Sequence, residues 1–233
     1  MRYSIVLPVF NEADNIGPFC QRANKELPPD FELLICYDQD NDSTLPALAA
    51  VTDKPANIRL IKNDLGPGVR YAIEAGIRAA AAPVVVVMMA DLSDDFVRVE
   101  EMVTRVEHGA DVVCGSRYMK GGAQIGGPRF KKFLSRTAGT TLHWFAGLPV
   151  HDPTNSFKAY KKSFLDKERI ESTAGFVLGL ELTVKAHLHG GRVEEVPVVW
   201  TDRSAGASRF RLWKWLPHYL HWYFVALRGR FLR

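Results

Sequence analysis

Cysteine is scarce in this chain of 233 residues: there are three, Cys20, Cys36 and Cys114, and none lies in a C-x-x-C pattern. An odd, scattered set of thiols excludes a disulfide framework and a structural zinc site, and implies a reducing cytosolic setting. Long apolar runs are missing too. No stretch reaches the roughly 18 uninterrupted apolar residues of a membrane-spanning helix. The first residues carry no cationic segment or cleavage site and open directly on Tyr3-Ser-Ile-Val-Leu-Pro-Val, so no signal peptide is expected. Histidines do not cluster at ligand spacing; His187 and His189 stand two apart, which on a helix places them on different faces. Neither an internal repeat nor a low-complexity tract is visible. The net charge is only +4, but it is unevenly placed: from Asp202 to Arg233, seven basic residues face a single acid.

What is present is an α/β pattern. Apolar residues make up 47% and charged residues 24% of the chain, ordinary values for a globular protein, and the length suits one large domain with at most a short appendage. Strands are expected near 3–9, 31–37, 58–62, 84–89 and 111–115, and helices near 13–26, 43–51, 67–80 and 95–107. This alternation predicts a mostly parallel, doubly wound sheet with right-handed crossovers. Pro67 suits a first helical turn, between Gly66 and Gly68. Beyond Gly115 the pattern changes. Residues 118–129 hold four glycines and Pro128 and predict a mobile loop; helices are expected near 130–147 and 176–189, and a strand over 193–200.

The most informative stretch is Val84-Val-Val-Val-Met-Met-Ala-Asp-Leu-Ser-Asp-Asp. A continuous β-branched run reads as a strand buried on both faces, and it places Asp91 at the carboxyl edge where open α/β sheets collect ligands. A carboxylate there can hold Mg²⁺ or a similar hard cation against a diphosphate. The plainer reading is that Asp91, Asp94 and Asp95 cap the next helix. Two more strand ends share that edge. Pro8 to Glu12 suit either a shelf for a nucleotide base and ribose or simple helix capping by Asn11, Asp14 or Asn15. Asp38, Asp40, Asp42 and Thr44 follow the second strand as a turn requires. Three polar strand ends on one edge favour a binding crevice over three unrelated turns.

Taken together, Pro-Val-Phe-Asn-Glu at 8–12, Asp38 with Asp42 and Thr44, Gly68 to Gly76, Met89-Ala-Asp-Leu-Ser, Gly115-Ser-Arg-Tyr, Asp152-Pro-Thr-Asn-Ser-Phe-Lys-Ala-Tyr and Asp202-Arg-x₄-Ala-Ser-Arg resemble glycosyltransferase family 2. Within that family the likeness is to the dolichol-phosphate mannosyltransferase-like (polyprenyl-phosphate glycosyltransferase) branch, over nearly the whole chain. The resemblance implies a GT-A fold at 1–209, an inverting transfer of a mannose- or glucose-class hexose from a nucleotide-diphosphate sugar to a polyprenyl phosphate, and Mg²⁺ or Mn²⁺ as cofactor. Carried over by position, Pro8, Phe10, Glu12, Cys36, Asp38 and Ala90 line the donor nucleotide site, with Arg203 and Arg209 closing over the diphosphate. Asp91 and Ser93 meet the metal; Arg117, Lys131 and Ser135 meet the acceptor phosphate; Asp91 and Arg117 are the catalytic pair. The chain departs from the family pattern where Met89 replaces the first Asp of the Asp-x-Asp metal motif, Tyr37 the first of the acidic pair after the second strand, and Ser93 a frequent Gln. Asp94 or Asp95 is expected to compensate through water. Alternatives are a relative acting on a soluble or polysaccharide hydroxyl, or a degenerate sugar-nucleotide-binding module without turnover.

The segment 210–233 reads as an amphipathic aromatic and basic helix. Trp213 to Leu227 is bracketed by Arg211 and Arg228 and interrupted by Pro217, a composition suited to the lipid headgroup layer. A helix packed on the domain is the plainer reading. No recognition motif supports nucleic-acid binding. His143, His218 and His221 lie among aromatics, and Glu181 reads either as orienting a basic residue, as contacting the acceptor, or as an ordinary helix position. The expected location is peripheral, on the cytosolic membrane face; oligomeric state is left open.

Overall fold

Seven strands form one sheet in the order β3-β2-β1-β4-β7-β5-β8. They are β1 (Tyr3–Pro8), β2 (Phe31–Tyr37), β3 (Ile58–Lys62), β4 (Val84–Val87), β5 (Val112–Ser116), β7 (Lys158–Lys161) and β8 (Val193–Pro197). The structure, a computed structural model, describes residues 1–202 and 212–231. Strands β1, β4 and β5 are buried along their whole length, as expected of β-branched runs covered on both faces. β3, at the sheet edge, exposes part of every turn of its pleat.

Helices α1 (Ala13–Glu26), α2 (Thr44–Ala50) and α4 (Val99–Glu107) cover one face, around Phe19, Leu48, Phe96 and Met102. Helices α3 (Val69–Ala79) and α7 (Val177–Leu188) cover the other, around Ile73, Leu180 and Leu182. The expected mostly parallel sheet with helices on both faces is therefore present.

Three differences from expectation have local causes. β7 was not anticipated, because Lys158-Ala-Tyr-Lys carries two cations; it nevertheless runs antiparallel between β4 and β5. Lys158 is fully buried there, with its ammonium donating to Cys114 Sγ at 3.2 Å. Residues 118–129 are not a featureless loop: β6 (Ala123–Ile125) pairs in parallel with β9 (Val199–Thr201). The strand expected over 193–200 is accordingly two strands in two sheets. Helix α3 begins after Pro67, because Gly68 takes φ 113°, a region that suits glycine, and gives its N–H to Asp38.

Helix α5 (Arg129–Thr141) passes into a π turn (Leu142–Ala146) closed by Gly147 at φ 71°. The short α6 (Lys162–Leu165) follows β7, and α8 (Leu212–Phe231) is the last element. α8 packs on the domain: Trp222 and Ala226 are buried, Tyr223 donates to Thr141 Oγ1 at 2.9 Å, and Arg230 donates to the carbonyls of Trp144 and Phe145. Glu181 does orient a basic residue. Its carboxylate accepts from the Glu171 and Ser172 amides and pairs with Lys185, whose ammonium lies 5.1 Å from the Trp222 ring centre.

Close approach of α3 to the sheet depends on Gly76. A Cβ added there would stand 2.5 Å from Val6 Cγ1 and 2.6 Å from Cys36 Sγ. Gly76→Ala should therefore destabilise the domain by about 1–3 kcal/mol. Urea unfolding of the two proteins checks this, and equal midpoints would show that α3 is not held at that distance.

Candidate active site

β1, β2 and β4 are adjacent and parallel, so their carboxyl ends open on one edge. Two turns there are latched to each other. Asp42 Oδ1 accepts from the Asn11 amide at 3.0 Å and the Thr44 amide at 2.8 Å, while Thr44 Oγ1 accepts from the Glu12 amide at 2.9 Å. Asp42 and Thr44 thus hold the turn that presents Phe10 and Glu12, with Asn11 at φ 55°. Phe10 is exposed at the mouth, and Glu12 accepts from Asn15 Nδ2 at 2.6 Å. Asp38 is steadied from two sides, by Asn63 Nδ2 and by the Gly68 amide, each at 2.7 Å.

Cys36 pairs in register with Pro8, but its side chain does not face this crevice. The thiol sits beneath α3 against Gly76, and burial pushes its pKa up to about 12. Only its backbone lies at the edge, where the carbonyl accepts from the Val9 amide at 2.9 Å.

Past β4 the chain makes a self-bonded loop. Asp91 Oδ1 accepts from Ser93 Oγ at 2.6 Å and from the Ser93 amide at 3.2 Å, with Leu92 at φ 61°. Ser93 therefore orients Asp91. The Met89 amide donates to Asp94 Oδ2 at 2.8 Å, while the Met89 side chain packs against the core beneath α3. Burial, and then the charge of Asp91, raise the Asp94 carboxyl to about 8. Asp95 turns the other way and accepts from the Val199 amide of β9 at 3.0 Å. Ala90 is buried in the same loop. Among the described residues no three His, Cys, Asp or Glu side chains gather as a ready-made metal cage. The oxygens that do gather are hard donors, matched to Mg²⁺ or Mn²⁺ completed by phosphate oxygens.

Arg117, just past β5, is almost enclosed. Its Nε and one terminal nitrogen bond Asp152 at 2.6 and 2.9 Å, and its amide donates to the same carboxylate at 3.1 Å. Burial opposes ionisation of Asp152, but the charge and hydrogen bonds of Arg117 outweigh it and hold the carboxyl below its ordinary range. Tyr118 shares a hydrogen bond with Ser135 on α5 and another with Gln124 at 3.1 Å. Lys131, one helical turn before Ser135, is on the same face of α5. The structure thus joins Arg117 to the α5 face of Lys131 and Ser135 through Tyr118.

Arg203 and Arg209 lie outside the described residues. The preceding strand β9 is placed beside the Asp91 loop, with the Thr201 amide donating to the Ser93 carbonyl at 3.2 Å. Asp152, Tyr118 and Asn63 had no role assigned from the sequence. Each acts through a partner far along the chain, and the one local signal was the Asp-Pro-Thr turn around Asp152.

This sheet, its acidic strand end and the guanidinium beside it form the GT-A arrangement of a sugar-nucleotide-dependent transferase. A family model described as glycosyl transferase family 2 matches residues 4–169, and the chain belongs to that family of glycosyltransferases. It is 30% identical over 217 residues to the polyprenol monophosphomannose synthase of Mycolicibacterium smegmatis, covering 89% of this chain and 80% of that protein. It is 26% identical over 216 residues to the dolichol-phosphate mannosyltransferase of Pyrococcus furiosus, covering 91% of this chain and 60% of that one. Among solved structures, glucosyl-3-phosphoglycerate synthase from Mycobacterium tuberculosis, in complex with Mn²⁺, UDP and glucosyl-3-phosphoglycerate, shares the fold. The TM-score is 0.69 at 19% identity, over 98% of this chain and 79% of that chain.

Replacing Asp152 by Asn leaves Arg117 buried without its counter-charge, so Asp152→Asn should destabilise by about 3–5 kcal/mol. Because the folded-state pKa of Asp152 is lowered, the pair's contribution is present above the ordinary carboxylate pKa and disappears as pH falls through the folded value. The stability difference between the two proteins should therefore shrink in strong acid. A pH-independent difference in thermal unfolding would refute the ionic origin.

Proposed function

We propose that this glycosyltransferase moves a hexose from a nucleotide-diphosphate sugar to a polyprenyl phosphate with inversion at the anomeric carbon. The observation that carries this reading is the buried Arg117–Asp152 pair, set across one strand from Asp91 and tied through Tyr118 to Ser135. A fixed guanidinium suits an acceptor that is itself an anion. Both relatives named above are enzymes of polyprenol or dolichol phosphate, which supports the same acceptor class here.

The chain's own residues divide the work. The Pro8–Glu12 turn and Asp38 receive the nucleoside. Asp91, oriented by Ser93, would hold a divalent cation, which when bound neutralises charge on the departing diphosphate. Arg117, with Lys131 and Ser135, orients the acceptor phosphate. One of its oxygens attacks the anomeric carbon as the bond to the nucleoside diphosphate breaks. That oxygen is already anionic, so no strong general base is needed. Arg203 and Arg209 are assigned to the donor diphosphate on the resemblance alone.

The acceptor's lipid chain requires a membrane surface, and two elements offer one. On α8, Trp213, Pro217, Leu220 and Phe224 recur at helical spacing on the outer face, with Trp213 74% exposed. Phe130 and Phe133 of α5 and Trp144 and Phe145 of the π turn are exposed as well. Arg129, Lys132, Arg136, Lys214 and Arg228 flank these aromatics. No described helix is long and apolar enough to cross a membrane. We assign the exposed faces to peripheral contact with the headgroup layer, on the cytosolic side.

Three results follow. Incubation of GDP- and UDP-sugars with polyprenyl phosphate and Mg²⁺ or Mn²⁺ should yield lipid-linked sugar, and Asp91→Asn should abolish it while leaving the circular dichroism spectrum unchanged; near-normal turnover of that variant would remove Asp91 from the reaction. Arg117→Lys, which keeps the charge but not the fork, should weaken use of the lipid phosphate at least tenfold while nucleotide binding is retained; equal losses in both would place Arg117 on the donor side. Replacing Trp213, Leu220 and Phe224 together by Ser should lower vesicle co-sedimentation at least about tenfold, or about 1.4 kcal/mol. Because Trp222 and Ala226 are untouched, the fold is kept, and unchanged sedimentation would exclude the α8 surface.

A further inference from the structure

Arg117 goes where Asp152 goes, because its amide and two of its guanidinium nitrogens all bond that one buried carboxylate. Asp152 belongs to the turn 151–155, which is fastened at several points. Asn155 Nδ2 donates to the Gly115 carbonyl at 2.8 Å, and Thr154 Oγ1 donates to Asp152 itself at 3.2 Å. Gly139 lets α5 come against the turn, since a Cβ there would run into the His151 carbonyl oxygen. His151 is held twice by one carboxylate of β8. Its amide donates to Glu195 Oε2 at 2.8 Å, and its ring Nδ1 meets Glu195 Oε1 at 2.6 Å. A carboxylate only accepts, so the Nδ1 position carries the proton.

One face of the same ring is also occupied. It stacks on His143 of the π turn, with centres 4.2 Å apart and planes 26° from parallel. His143 is itself fixed: its Nδ1 donates to the Leu148 carbonyl at 2.8 Å, and its ring meets the exposed Trp144 edge-on at 5.9 Å. Partners from two other elements therefore define both the edge and the plane of the His151 ring, although that side chain is 41% exposed. Neither histidine lies in the stretches that carry the family resemblance. We infer that His151 is a positioning residue for the acceptor phosphate: bonded to Glu195 and backed by His143, it sets the turn that carries Asp152, and Asp152 aims Arg117. The inference rests on the assignment of Arg117 to the acceptor above. It makes Glu195 and the π turn supports of the acceptor side, acting through Asp152.

Steady-state kinetics of the full-length protein test this, with undecaprenyl phosphate in vesicles and whichever of GDP-mannose and UDP-glucose the unaltered protein turns over. His151→Ala should lower kcat/KM for the lipid phosphate by at least about tenfold, within what a misplacement of about 1 Å can cost, while KM for the nucleotide sugar stays unchanged. His151→Asn, whose amide still donates to Glu195, should restore most of the loss. A side chain that only supported the fold would lower the values for both substrates together. Without turnover, the nuclear magnetic resonance signal of the Arg117 Nε–H, set by its bond to Asp152, should move in His151→Ala and return in His151→Asn. Should His151→Ala not fold, Glu195→Gln, with one acceptor oxygen in place of two, should show the same acceptor-only loss and the same displaced signal. An unmoved signal, unchanged use of the lipid phosphate while Arg117→Lys is impaired, or parallel losses for donor and acceptor would overturn the inference and leave the acceptor reading standing. Unimpaired use of the lipid phosphate by Arg117→Lys would overturn the reading on which it rests.

Discussion

The geometry of the site depends on one antiparallel strand. β7 pairs with β4 on one side and β5 on the other, so those two strands stand about 10 Å apart, two strand spacings. Asp91 follows β4 and Arg117 follows β5, and both chains leave the sheet toward the same edge. That separation keeps the anionic and cationic halves of the crevice from collapsing into a salt bridge. Asp152 reinforces the arrangement by accepting from two nitrogens along one edge of the Arg117 guanidinium.

The crevice is built so that charges of opposite sign are held apart by covalent and hydrogen-bonded supports. Around the acidic strand ends the supports are backbone amides, from Gly68 on Asp38, Ser93 on Asp91 and Met89 on Asp94, together with the side chains of Asn63 and Ser93. Around Arg117 side chains take that part, with Tyr118, Gln124 and Ser135 forming a chain of hydrogen bonds. Fixed dipoles and charges of this kind stabilise developing charge without reorganising during the reaction. β9 donates backbone amides to the loop that carries Asp91, from Val199 to Asp95 and from Thr201 to Ser93, and precedes Arg203 and Arg209 in the sequence.

The last helix has two roles on two faces. Its inner face completes the core over α7, through Trp222 and Ala226, and clamps the π turn through Arg230. Its outer face carries the aromatic stripe. The plainer reading of the tail, a helix packed on the domain, is realised, and the helix ties the exposed aromatics of the π turn to the domain.

The strand–helix alternation of the first half was legible because burial on both faces demands β-branched runs and amphipathic helices, local patterns written in consecutive residues. The acidic strand ends were legible for the same reason, and Pro8, Asp38, Asp91 and Arg117 stand where the pattern put them. Cys36 reaches the edge only through its backbone, since a period of two along β2 cannot say that Gly76 leaves room for its thiol under α3. β7 was invisible, because two lysines contradict the apolar signature of a central strand; the buried Lys158 ammonium meets Cys114 Sγ and feels the charge of Asp152. Sequence by itself determined the fold class and the sheet edge at which the polar strand ends gather. Tertiary structure alone decided that β7 stands between β4 and β5, what holds Arg117, and which face of the last helix is exposed, because each is settled by contacts between residues far apart in the chain.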